Sequence, residues 1–111
     1  MKDMGIQEFQ DILHKYAGKY SIQVAIKHDS LFFVSSIKNY HVQASGDTIV
    51  IGSTESAANF QIKLSDLIRV EALEKEETWR AAAVEASCSG GMKVFMNILT
   101  GRTAEEGVIQ D

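Results

Sequence analysis

The sequence predicts a mainly β domain of the α+β class, and three observations carry that reading. From Ser21 onward apolar residues recur at every second position, first in Ile22, Val24 and Ile26 and later in Phe60, Ile62 and Leu64. That is the period of a strand with one buried face. Ahead of this region Ile6, Phe9, Ile12, Leu13, Tyr16 and Tyr20 fall three and four residues apart, the spacing of an amphipathic helix. Finally, Ser65-Asp66 interrupts the alternation for about one turn before Ile68, Val70 and Ala72 resume it. A corner without Gly or Pro is how a curved sheet changes direction. The expected architecture is an N-terminal amphipathic helix packed on a small antiparallel, strongly bent sheet or barrel, with an added C-terminal hairpin.

The helix spans residues 4–17, with Asp3 as N-cap, Glu8 near its positive end and Lys15 near its negative end. Gly18 supplies the left-handed stop. His14 falls off the apolar stripe and is expected in solvent. A helix this short needs a sheet or an open barrel end to cover.

Ser21–Lys27 is the first strand, and His28-Asp29-Ser30 turns the chain into Leu31. Residues 31–37 are apolar on both faces, Leu31 and Phe33 opposing Phe32 and Val34. Such a strand needs cover on both sides. Either the helix lies on one side and the core on the other, or the strand meets another subunit. Past a bend at Lys38-Asn39 the alternation continues through Tyr40, Val42 and Ala44. Ser45-Gly46-Asp47 then turns the chain into Thr48–Ile51. Gly52–Asn59 reads as the longest internal loop.

Two readings compete for residues 74–100. Trp79, Ala82, Ala83 and Ala86 fit a helical face, whereas Ser89-Gly91 ahead of Val94, Met96 and Ile98 fits the turn and return strand of a hairpin. We take the hairpin, because the last strand needs an antiparallel partner. Residues 1–100 form one domain, and 101–111 are a frayed acidic tail.

Composition narrows the function classes. The formal net charge is −4 over 111 residues. Residues 1–50 balance five Lys/Arg against five Asp/Glu, while 51–111 hold six against ten, so the excess of 10 − 6 = 4 acids lies in the second half. A generic phosphate-binding surface needs the opposite sign. Cys88 is the only cysteine, which excludes an intrachain disulfide. The first residues lack a signal-peptide apolar run, and the longest apolar runs, Leu31–Val34 and Ala81–Val84, are far short of a membrane span. The expectation is a cytoplasmic protein with no membrane partner.

No catalytic constellation emerges. His28-Asp29-Ser30 contains the residue types of a hydrolase triad, but three consecutive turn residues cannot orient one another as nucleophile, base and acid. His14, His28 and His41 have no close ligand spacing, so no metal or cofactor is expected. The acidic run Glu71, Glu74, Glu76 and Glu77 reads as a solvated turn. Ser89-Gly90-Gly91 lacks the strand–loop–helix context of a phosphate loop. A reactive Cys88 would need more positive charge than Lys93 supplies. Trp79 reads as core or interface packing.

The order of elements over residues 4–73 resembles the Sm-like barrels, including their bacterial Hfq branch. Helix, strand, long bent strand, third strand, Phe60–Leu64, a one-turn break and Ile68–Leu73 follow in that sequence, and Ser36-Ile37-Lys38-Asn39-Tyr40 is similar to the stretch ending the family's bent strand. The family's usual Gly is missing from Leu31–Ile37, and its basic Lys-His or Arg-Gly signature is replaced by Leu64-Ser65-Asp66. In the family those positions line an RNA-binding pore, where an acid repels phosphate. The resemblance therefore implies an SH3-like or Sm-like barrel and assembly through exposed strand edges, while RNA binding is not carried to any residue. The hairpin after residue 73 is an addition that would cover one such edge.

These readings lead to a non-catalytic domain acting through protein–protein interaction or self-association, with Leu31, Phe33 and Trp79 at the interface and a homo-oligomer or another protein as partner. Two other classes compete. One is an Sm-like RNA-binding module, requiring Lys27, Lys38, Lys63 and Arg69 to form a local basic cluster. The other is a small-molecule-binding barrel or enzyme with a pocket at an open barrel end.

Overall fold

The computed structural model describes residues 2–53, 56–73 and 77–101. In chain order these form β1 (Lys2–Met4), α1 (Ile6–Tyr16), β2 (Ser21–His28), β3 (Leu31–Ile37), β4 (His41–Ser45), β5 (Thr48–Ser53) and β6 (Ser56–Lys63). A single 3-10 turn at Leu64–Asp66 leads into β7 (Leu67–Ala72), followed by β8 (Arg80–Cys88), the turn Ser89–Gly91 and β9 (Lys93–Leu99). The helix packed on antiparallel sheets is the predicted class. The strands do not close into a barrel, however. They divide into a six-stranded sheet of order β1-β7-β8-β9-β2-β3 and a three-stranded sheet β4-β5-β6.

The hairpin reading of residues 77–99 holds. β8 pairs with β7 and β9 pairs with β2, so the hairpin is wedged between β7 and β2 and keeps them from meeting. Gly90 and Gly91 have φ of 79° and 81° at the turn, a conformation open to residues without Cβ.

Inward side chains of both sheets and the helix form one core. Ile22, Val24, Ile49, Ile51, Ile62, Val70, Val94, Met96 and Ile98 are buried in it with Phe9 and Leu13 of α1. Facing pairs such as Ile22↔Ile98 and Ile49↔Ile62 put β-branched residues opposite one another across the ladders, where they pack well. Burial of Phe9 and Leu13 fixes the helix, since propensity alone does not hold an 11-residue helix in water.

Tyr40 ties the helix to the start of β4. Its side chain is fully buried and its hydroxyl donates to the Leu13 carbonyl at 2.7 Å. The helical partner of that carbonyl would be the Ala17 N–H, which bonds His14 O at 3.3 Å instead. Tyr40 thus satisfies a carbonyl that the helix end leaves open. The Tyr40 backbone carbonyl also accepts from Gly18 N–H at 2.8 Å, with Gly18 at the expected left-handed φ of 78°.

Several sequence expectations change. The helix begins at Ile6 with Gly5 as N-cap. Asp3 belongs to β1, which pairs with β7, and its carboxylate accepts from Arg69 Nε at 2.9 Å. The supposed loop Gly52–Asn59 is largely hairpin, with Gly52↔Asn59 and Ser53↔Ser56 paired and Thr54-Glu55 outside the described residues. Ile68 points outward and is 72% exposed. Register passes from Leu67↔Cys88 to Arg69↔Ser87, so Ile68 is the extra residue of a β-bulge, which breaks the period-two rule. Residues 102–111, most of the expected tail, and Glu74 and Glu76 of the acidic run lie outside the described residues.

Candidate functional site at the edge strand

β3 is the end strand of the larger sheet and carries its most exposed apolar segment. It pairs with β2 from Ile22↔Ile37 to His28↔Leu31, across a two-residue turn in which Asp29 takes φ of 52°. Ile37 is buried, but exposure reaches 57% at Leu31, 61% at Phe32, 63% at Phe33 and 52% at Val34. Leu31 and Phe33 lie on the core-facing side, in line with buried Val24 and Ile22. Phe32 and Val34 lie on the outer side with Lys27 and Ala25. Both faces are therefore open, and α1 does not provide the cover expected of it. The helix lies against β4 because Tyr40 anchors it there.

Two of the other edges differ in kind. β1, at the opposite end of the sheet, is three residues long and carries Lys2 and Asp3. β4, an edge of the smaller sheet, exposes His41, Gln43, Ala44 and Ser45 rather than large apolar groups. Short or polar edges are how sheets avoid adding strands, whereas a long apolar edge invites one. Among the described residues no strand pairs with the outer edge of β3.

The structure brings Leu31 and Phe33 together but separates Trp79 from them. Trp79 precedes Arg80, whose partner Leu99 faces Ser21, so it sits at the end of the sheet opposite the β2–β3 turn. Its half-buried ring is covered by the Arg80 guanidinium, 4.7 Å from the ring centroid. Phe32 and Val34 complete the patch instead. Both were visible in the unbroken apolar run Leu31–Val34.

The four basic residues of the RNA reading do not form one cluster. Lys27 is on β2 and Arg69 on β7, with β9 and β8 between them; Lys63 lies on the smaller sheet and Lys38 follows β3. Arg69 is bound by Asp3 at 2.8 Å and Glu71 at 3.6 Å. The side-chain hydrogen bond and charge of Asp3, then the charge of Glu71, raise its pKa. Lys93, overlooked as a partner of Lys27, lies directly opposite it and pairs with Glu85 at 3.6 Å. At the Leu64–Asp66 turn the Asp47 carboxylate accepts from the Ser65 N–H at 3.1 Å and from the Ser65 hydroxyl, which adds a second acid beside Asp66.

The remaining polar candidates are dispersed. His14 Nδ1 lies 2.9 Å from Gln10 O, His28 Nε2 lies 3.0 Å from Gly90 O, and exposed His41 begins β4. Among the described residues no three His, Cys, Asp or Glu side chains converge as a metal-binding group. Cys88 is buried facing the core, and burial followed by the charge of Asp66 raises its pKa. Both effects disfavour the thiolate, which is the reactive form. A hollow of about 200 Å³ lies outside β8 and β9, lined by Leu73, Ala83 and Phe95 among others. No described helix is long and apolar enough to cross a membrane.

Comparison with protein-family models, with curated proteins and with solved structures finds no match.

Proposed function

We propose that this protein is a non-catalytic β domain whose role is association with protein, through strand addition at the free edge of β3. The observation that carries the reading is the run Leu31–Val34, half or more exposed at every residue and apolar on both faces. A strand added there gains main-chain hydrogen bonds from an open ladder and covers apolar side chains above and below it. Nucleic acid is a weaker fit, because Lys93 and Arg69 are paired with carboxylates and the chain is acidic. The Sm-like resemblance supports assembly through strand edges only as an analogy of element order.

Light scattering over a concentration series tests the proposal. Wild-type protein is expected to associate, and Phe33→Lys is expected to abolish association while leaving the circular dichroism spectrum and melting temperature close to wild type, since the Phe33 side chain is largely in solvent. Equal association by wild type and Phe33→Lys would remove β3 from the role.

A further inference from the structure

Resting on that reading, we infer that the occupant of the β3 edge is a second copy of this chain, paired antiparallel about a two-fold axis through Phe33. The ends of the strand carry complementary charges. Exposed Asp29 lies in the turn before β3 and exposed Lys38 directly follows it. Antiparallel self-pairing brings the acidic end of one copy beside the basic end of the other, whereas in-register parallel pairing would align like with like.

The register follows from the hairpin. A two-residue turn makes its closing pair, His28↔Leu31, a hydrogen-bonded one, so alternation directs the backbone groups of Phe32, Val34 and Ser36 away from β2. A two-fold axis normal to the sheet keeps core-facing residues opposite core-facing residues. Three centres meet this condition with the apolar run at the joint: Phe32, Phe33 and Val34. Centring on Phe32 leaves only Leu31, Phe32 and Phe33 paired within the strand and sets Val34 against the turn. Centring on Val34 sets Phe32 opposite Ser36 and Phe33 opposite Ser35. Centring on Phe33 sets Phe32 against Val34 in both directions, Phe33 against Phe33 on the axis, and Asp29 alongside Ile37 and Lys38 of the second copy.

Along the joint the exposed Leu31, Phe32, Phe33 and Val34 side chains of each copy flank those of the other, adding apolar contact to the main-chain hydrogen bonds of the new ladder. This isologous arrangement uses one patch twice and closes on itself, which limits assembly to a dimer.

Disulfide trapping of the full chain tests both the partner and the register. Phe32→Cys, Phe33→Cys and Val34→Cys are prepared separately, with buried Cys88 left in place and wild type as the control for its reactivity. Residues 33 of the two copies form a non-hydrogen-bonded pair with a Cα separation of about 4.5 Å, within disulfide reach. Residues 32 and 34 each lie about 7 Å or more from their own counterparts. Phe33→Cys is expected to cross-link at least 10-fold faster than the other two, and light scattering is expected to give a dimer. Equal rates at all three positions, or fastest linkage at residue 32 or 34, would overturn the register while leaving β3 association intact. A wild-type protein that is monomeric at all concentrations, or that is dimeric without linkage at any of the three positions, would overturn the inferred partner geometry; the monomer alone would also remove self-association.

Discussion

Replacing Tyr40 with Phe removes one hydroxyl and one hydrogen bond while keeping the ring that fills the core. The lost bond is the 2.7 Å contact to the Leu13 carbonyl, whose helical partner is already diverted to His14. The carbonyl would remain buried and unsatisfied, a defect costing about 1–3 kcal/mol. For a domain of this size that corresponds to a fall in melting temperature of roughly 4–13 °C at neutral pH. Thermal melts of wild type and Tyr40→Phe, followed by circular dichroism at several pH values, provide the assay.

The pH dependence gives a second check on the same group. Burial, then the neighbouring Tyr16, raises the Tyr40 pKa above its ordinary value of 10.0. The unfolded chain therefore releases this proton first as pH rises. The stability contributed by the protonated hydroxyl is complete below pH 10.0 and is lost above it, towards the raised folded value. Wild type should outlast Tyr40→Phe at pH 7 and the two melting curves should converge above pH 10. A melting temperature unchanged by the substitution at pH 7, or a wild-type advantage that grows in alkali, would refute the assigned role.

Three further outcomes follow from local geometry. Ile68→Lys at the bulge should change stability by no more than about 0.5 kcal/mol, whereas Val70→Ala two residues on should lose about 1–3 kcal/mol in urea titrations; equal losses would contradict the bulge. Cys88 should resist a thiol-specific colorimetric reagent until the protein is denatured, and because its pKa is raised above 9.0 its proton-linked stability should be lost as pH rises past that value. Gly18→Ala, whose Cβ would lie 3.8 Å from the His41 ring, meets no clash but should cost about 1–2 kcal/mol through its positive φ, measured by chemical denaturation.

Local pattern made much of the fold legible. The stripe from Phe9 to Leu13, the alternation of Ile22, Val24 and Ile26, the corner at Ser65-Asp66 and the Gly-led return to β9 each depend on neighbouring residues alone. The features that eluded sequence reading depend on distant partners. Three residues are too few for β1 to show a period, and Asp3 reads equally well as a helix cap until Val70 and Ala72 are placed beside its strand. Ile68 keeps the right period in the sequence, yet the register against Cys88 and Ser87 turns it outward. At the candidate site, Leu31 and Phe33 were evident as an apolar pair. That α1 leaves them exposed was not, because its placement depends on distant partners: Phe9 and Leu13 enter the core and Tyr40 holds the helix end beside β4.

The wedged position of the β8–β9 hairpin also constrains how the chain can mature during synthesis. β2 emerges early and can join β3 at once, but its other side must wait until Ile98 and its neighbours have been translated. Throughout that interval the nascent polypeptide carries a half-satisfied ladder at Ile22–Ile26, a period when capture by another nascent chain or by a chaperone competes with completion of the native sheet.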